Sequence, residues 1–309
     1  MTQKMTAKAK TEMQTFNYSD LVEKWIGYAQ VSASSVKSYT KGIRRLMEYC
    51  RAKEIRAISR DSLISYREYL RGKYAVATAN LYLTAAKLFL SFLAVEGYLQ
   101  SNPADRVKGL KVVAGHKKEA LSAEMVQAVL NSFETSTVKG KRDKAMFALM
   151  ATAGLRTIEI SRADVSDIIL RDGKYFLLVQ GKGHNEKDAA VRISEGVYQL
   201  IQEYLKASGK QQVLFSSVSR RNCGGRLSAN SISRIIKKAL REAGYNSKRL
   251  TAHSLRHTAA TVALKAGATL RQVQQVLRHT SIAITQIYLH DLDRLNNNAE
   301  CMTAAAFGL

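Results

Sequence analysis

One proline, Pro103, stands in a chain of 309 residues. Proline stops a helix outright, because it lacks the N–H and its ring blocks the preceding turn. Glycine, the next strongest breaker, occurs only 18 times. A chain with so few interruptions is expected to be mainly helical. The lone proline falls in Ser101-Asn-Pro-Ala-Asp, ahead of the Lys- and Gly-bearing run from Val107 to Lys118. Those residues predict an exposed linker. They cut the chain in two, as its length would suggest.

Apolar spacing fills in both halves. Before the break, Tyr18–Ala29, a helix capped by Ser32 or Ser34, Arg60–Leu70 and Ala75–Leu99 each carry apolar residues at helical intervals. Four such helices with short links make a small bundle. After the break, Ser122 is a good N-cap, and a helix over Arg142–Thr152 ends at Gly154. The period then changes. Val165–Leu170, Tyr175–Gln180 and Ala189–Ile193 read as strands, with turns at Arg171-Asp-Gly and Gly181-Lys-Gly. Helices return over Glu195–Ala207, Ser231–Ala243, His253–Ala266, Leu270–Leu277 and Ile282–Leu289. The expected class is mainly α with a small antiparallel β-sheet, an α+β chain.

The 48 Lys and Arg outnumber the 25 Asp and Glu, for a formal charge of +23. Residues 1–110 hold 18 basic and 9 acidic side chains, and the remainder holds 30 and 16. Both halves are therefore basic, which suits a polyanion gripped from two sides. Charge alone fits a general phosphate-binding protein equally well. Cys50, Cys223 and Cys301 are far apart and form no CxxC, as in reduced cytosolic proteins. No run approaches the ~18 consecutive apolar residues of a membrane span, so no membrane partner is expected. Residues 1–15 are basic without an apolar stretch, which predicts a flexible lead-in rather than a signal peptide.

The chemistry lies in motifs that are individually weak. Gly154-Leu-Arg156-Thr-Ile-Glu159 puts an arginine past a helix end with a glutamate three residues on, which is also the spacing of an ordinary surface ion pair. Lys182 sits at a tight turn, where a solvated hairpin tip is the plainer reading. His253-Ser-Leu-Arg256 places two side chains on one helix face, and His257 reads as a structural histidine. Leu277-Arg278-His279 precedes Ile287-Tyr288-Leu289, where Tyr288 could be a core aromatic. Taken together the set suits attack on a phosphodiester. Guanidinium groups fork onto phosphate oxygens and stabilise charge that grows there in the transition state. A tyrosine can form a covalent phosphate ester, and a lysine or histidine can protonate the departing alkoxide. No Asp/Glu cluster suggests a two-metal site, and no GKS/GKT loop suggests ATP, so neither metal nor cofactor is expected.

In this order, Arg156, Lys182, His253-x-x-Arg256, His279 and Tyr288 resemble the tyrosine recombinase/phage integrase family. The wording GLRTIEI, HSLRHTAAT and LRHTSIAITQIY is similar too, over roughly residues 16–295. In size the chain is nearest to the Xer-like site-specific recombinases, without the extra arm-binding domain of lambda-type integrases. The resemblance implies a helical, SAM-like core-binding domain over 16–105, a basic linker over 106–119, a catalytic domain over 120–295 and a tail over 296–309 that is exchanged between protomers. It implies that Arg156 and Arg256 clamp the scissile phosphate, Glu159 supports them, and Lys182 protonates the leaving 5′ oxygen. His253 would assist proton transfer, His279 would hydrogen-bond the phosphate, and Tyr288 would become the 3′-phosphotyrosine. The implied activity is cleavage and rejoining of DNA strands through a Holliday junction. It would serve insertion and excision of a mobile element or resolution of chromosome or plasmid dimers. The implied partners are a double-stranded DNA site with inverted-repeat arms and a homotetramer on it, with or without a second recombinase, in the bacterial cytoplasm.

Relatives usually carry glycine where Arg278 stands, a departure expected not to touch the chemistry, though able to add a DNA or partner contact. The basic loop Ser216–Arg226 is expected to face DNA. A type IB topoisomerase would share the tyrosine and the arginines. The bundle and the tail argue against it. The complete residue set argues against a purely architectural DNA-binding protein.

Overall fold

The computed structural model describes residues 18–111, 119–181, 186–296 and 299–308. The chain divides into two compact units, 1–115 and 116–309.

The first unit is a bundle of four helices: α1 (Tyr18–Ala29), α2 (Ala33–Ala52), α3 (Arg60–Lys73) and α4 (Val76–Val95). Ser32 caps α2, and Ser59 caps α3 through a reciprocal pair with Ser62. Helix α4 is central and packs against the other three. Gly42 explains how close α2 comes. A Cβ there would stand 2.7 Å from the Ala85 Cβ on α4, so only glycine fits. By length and composition α4 could cross a membrane, contrary to the expectation that no segment comes near. Its Tyr82, Leu83, Ala86, Phe89, Leu90 and Leu93 instead fill the bundle core, so it is a core helix. Helix α4 also ends at Val95 rather than Leu99, because Gly97 turns the chain at φ +77°.

The expected exposed linker starts later than its composition suggests. Val107 is buried in the bundle, Lys87 donates to its carbonyl at 2.7 Å, and Asn80 binds the backbone of Leu110 in both directions. Residues 112–118 lie outside the described segments, as do 1–17.

The second unit holds α5 (Ala123–Ser132), α6 (Val138–Ala153), α7 (Thr157–Arg162), strands β1 (Ile168–Arg171), β2 (Lys174–Val179) and β3 (Ala189–Ile193), then α8 (Glu195–Ser208), α9 (Ala229–Glu242), α10 (Ala252–Lys265), α11 (Leu270–Leu277), α12 (Ile282–Asn296) and α13 (Ala299–Ala306). The strands form an antiparallel meander in the order β1-β2-β3, in register Ile168 to Leu177 and Leu177 to Val191. Helix α6 is buried on nearly every side and packs against α8 and α10.

In this unit the element boundaries differ from the sequence reading at several points. Helix α6 begins at Val138, where Thr137 caps a polar first turn that apolar spacing does not register. Val165–Asp167 is a 3-10 turn rather than strand. Helix α7 has only six residues, too few to show a period. Helix α12 continues through the polar run to Asn296. The expected hinge at Asn296–Asn298 lies partly outside the described residues.

Candidate active site

Three helix ends meet at one point. Helix α6 stops at Gly154, which is left-handed at φ +59°, and a Cβ there would stand 2.6 Å from Leu277 Cδ2 at the end of α11. Glycine is required on both counts. Arg256 of α10 links these ends. Its Nη1 donates to the Gly154 carbonyl at 2.6 Å and its Nη2 to the Leu277 carbonyl. Only 1% of Arg256 is exposed. Burial, and after it the charges of Arg156 and Arg278, push its pKa down to about 10, so it remains cationic at neutral pH.

Arg156 follows two residues after Gly154, as the N-cap of α7. Glu159 reaches back in a reciprocal pair, taking the Arg156 backbone N–H at 2.8 Å and Nη1 at 2.9 Å. The i,i+3 ion pair is therefore real, but it is no surface pair, because the Glu159 side chain is fully buried while Arg156 is partly open. Arg278 also reaches this carboxylate, with Nη2 2.7 Å from Oε2. Arg278, expected not to touch the chemistry, thus turns its side chain inward onto the carboxylate that also holds Arg156.

Tyr288 lies on α12, buried, with its ring parallel to His279 at 6.3 Å and edge-on to His257 at 5.1 Å. Burial raises its pKa, and the positive charges of Arg256 and Arg156 pull it back toward the phenolate. His279 stands 2.9 Å from the Thr285 hydroxyl through Nδ1. Burial first, then Arg256, Arg156 and Arg278, push His279 down to about 4, which keeps it neutral at physiological pH. His253 and Arg256 do not share one environment as the i,i+3 spacing implied. Arg256 points inward, whereas His253 is exposed and stacks edge-on against His257 at 5.0 Å. His257 thus bridges His253 and Tyr288. A groove of about 670 Å³ runs beside Arg156 and His253, with Arg234 and Lys237 on its wall.

Lys182 falls outside the described residues. Lys187, in the same β2–β3 connection, bonds Asp167 and lies 3.5 Å from Asp164. That engagement disfavours Lys187 as a free acid. In the basic loop, Arg226 folds back onto Asp164 at 2.6 Å, while Arg220 and Arg221 are exposed. Sequence reasoning missed Thr285 and the contact of Arg278 with Glu159. Thr285 lies three residues before Tyr288, so its place on the same helix face was a usable signal.

The sequence matches the Phage integrase family over residues 119–294 and the phage integrase N-terminal SAM-like domain over 20–97. A relative named tyrosine recombinase XerD, from Listeria monocytogenes serotype 4b (strain F2365), is 29% identical over 286 residues, spanning 88% of this chain and 94% of its own. The structure resembles the post-cleavage complex of XerH site-specific recombinase with palindromic difH substrate, at TM-score 0.74 and 22% identity, over 93% of this chain and 86% of that one. It also resembles a lambda integrase tetramer bound to a Holliday junction, at TM-score 0.68 and 15% identity, over 90% and 78% of the two chains.

Proposed function

The chain belongs to the phage integrase family and is a tyrosine-type site-specific DNA recombinase, and we propose that Tyr288 is its nucleophile, served by Arg156, Arg256, His253, His279 and Lys182. The observation that carries this reading is the meeting of Arg256, Arg156, His279 and Tyr288 around the Gly154 turn. The Tyr288 oxygen attacks phosphorus as its proton passes to a neighbouring base, with His253 the candidate. The bond to the 5′ oxygen breaks, and that oxygen takes a proton from Lys182. Arg156 and Arg256 hold the charge that grows on the non-bridging oxygens. His279, neutral and with Nδ1 2.9 Å from the Thr285 hydroxyl, donates to the phosphate through Nε2 in the tautomer that carries its proton there. The product is a 3′-phosphotyrosine and a 5′ hydroxyl. A 5′ hydroxyl from the partner strand reverses the step, so one phosphodiester replaces another and no energy source is required.

The substrate is read as double-stranded DNA with inverted arms, in the cytoplasm. The assembly is read as a homotetramer at a Holliday junction, by likeness to the lambda integrase tetramer. Residues 16–105 serve as the core-binding domain and 120–295 as the catalytic domain. No residue of α13 is buried, and its Met302 is 65% exposed. Ile284 and Ile287 on α12 are exposed as well, offering a seat for the α13 of a neighbour. Removing residues 299–309 should leave single-protomer binding intact and sharply reduce junction formation. Full-rate recombination by the truncated protein would end the exchanged-tail reading.

The experiment for the nucleophile uses a nicked suicide duplex built on a site selected by the protein from random DNA. Wild type should trap a covalent adduct on a denaturing gel. Tyr288→Phe should bind equally and trap none, since only the hydroxyl is gone. Lys182→Ala should trap little, and sulfur in place of the bridging 5′ oxygen should restore it, because a thiolate leaves unprotonated. An adduct from Tyr288→Phe would overturn the assignment.

A further inference from the structure

Arg278 occupies a backbone position that side-chain-bearing residues rarely adopt. It closes α11 at φ 53°, ψ 47°, the left-handed region that glycine fills without strain. Its side chain is nonetheless drawn in and only 14% exposed. Nη1 donates to the Val276 carbonyl at 2.5 Å, Nη2 lies 2.7 Å from Glu159 Oε2, and Nε lies 3.4 Å from Oε1. The same two oxygens hold Arg156, Oε1 through Nη1 and Oε2 through the backbone N–H. One fully buried carboxylate therefore serves two guanidinium groups.

Charge bookkeeping gives this arrangement a consequence. With Arg156 and Arg256 alone, Glu159 would cancel one of the two positive charges available to a phosphate. Arg278 restores it. In a water-poor site an uncompensated carboxylate is felt strongly by groups a few ångströms away. The effect reaches the neighbouring residue too, since Arg278 is among the charges that keep His279 neutral.

We propose that Arg278 is a positioning residue for DNA cleavage, which shares Glu159 with Arg156 and neutralises it, so that Arg156 and Arg256 meet the scissile phosphate with their full charge. The proposal rests on the assignment of Tyr288 and the two arginines given above. Arg278 acts through Glu159 and is not required to touch DNA.

The test is single-turnover cleavage of the suicide duplex by the full chain. Arg278→Gly relieves the backbone strain but takes one partner from the buried Glu159, so its melting temperature is read beside its rate; it should half-saturate at a similar DNA concentration. Its cleavage rate should fall by about tenfold to a hundredfold, less than for an arginine bonded to the phosphate itself. Arg278→Lys should recover part of the rate. The decisive variant is Arg278→Gly with Glu159→Gln, which removes the unbalanced carboxylate and should cleave faster than Arg278→Gly alone. A merely structural role for Arg278 predicts that the double variant is worse. If Arg278→Gly is unstable, Arg278→Gln keeps the bulk, drops the charge and carries the same comparison. Wild-type cleavage rates from Arg278→Gly, or no recovery in the double variant, would overturn the proposal while leaving Tyr288 in place. Absence of a wild-type adduct would instead overturn the assignment beneath it.

Discussion

The two units bury different things. The core of the first, from Leu21 to Val107, is apolar and aromatic, built on Trp25, Tyr66, Phe89 and the leucines around them. Among the described residues, the buried charged, serine, threonine and histidine side chains, from Arg142 to Thr285, all lie in the second unit, whereas the first buries hydroxyls on tyrosines such as Tyr66. Burying apolar surface is favourable by itself and tolerates many arrangements. Burying a guanidinium is costly unless hydrogen bonds and opposite charge offset it. Arg256 is held by two backbone carbonyls, and Glu159 by two arginines. The second unit tolerates that cost where α6, α10 and α11 converge. Preorganised charge in that place is what phosphoryl chemistry requires.

Substitutions that strike one kind of core and spare the other test this contrast. The largest effect is expected from Arg256→Ala. It strips the proposed phosphate site of a guanidinium and strands the Gly154 and Leu277 carbonyls. Adduct formation should fall by about a thousandfold, a loss of the size seen when a preorganised donor is removed. The second unit should also melt at lower temperature. Retained cleavage would show that the buried charge is structural only. Trp25→Ala comes next. It empties a fully buried site in the bundle and should cost about 3–5 kcal/mol. Calorimetry should show the loss in the first unit's transition, with the second unit's unchanged. An equal drop in both would erase the energetic division between them.

The smallest effect is a pH dependence specific to the second unit. His279 has a folded pKa of about 4 against an ordinary 6.5. The unfolded chain therefore takes up this proton first as pH falls. The stability that comes from keeping the ring neutral is complete above about pH 6.5 and declines as pH drops toward 4. Urea midpoints compared at neutral and acidic pH should fall less for His279→Gln than for wild type. The same fall in both proteins would remove His279 as the source.

Helix types, the three-strand meander and the list of candidate site residues were legible because each depends on local information. Period, cap and turn chemistry are properties of neighbouring residues, so α1, α11 and β3 match the sequence reading residue for residue. The order Arg156, His253, Arg256, His279, Tyr288 is likewise a string that can be read along the chain. Short or polar elements escaped. Six residues of α7 hold less than two turns, and the first turn of α6 is lysine-rich and carries no apolar stripe.

What only the tertiary structure decided is which of those residues see one another, and at what dielectric. Spacing put His253 and Arg256 on one face, yet packing buries one and exposes the other. Position 278 lies 119 residues from Glu159 along the chain, so no local pattern could pair them. That contact exists because Arg256 ties the end of α11 to the Gly154 turn, where α7 begins. Sequence determines the inventory of charges through chemistry carried by each residue alone. Their mutual distances and burial depend on three helix ends converging, and those distances decide whether a charge is solvated, cancelled or available to a phosphate.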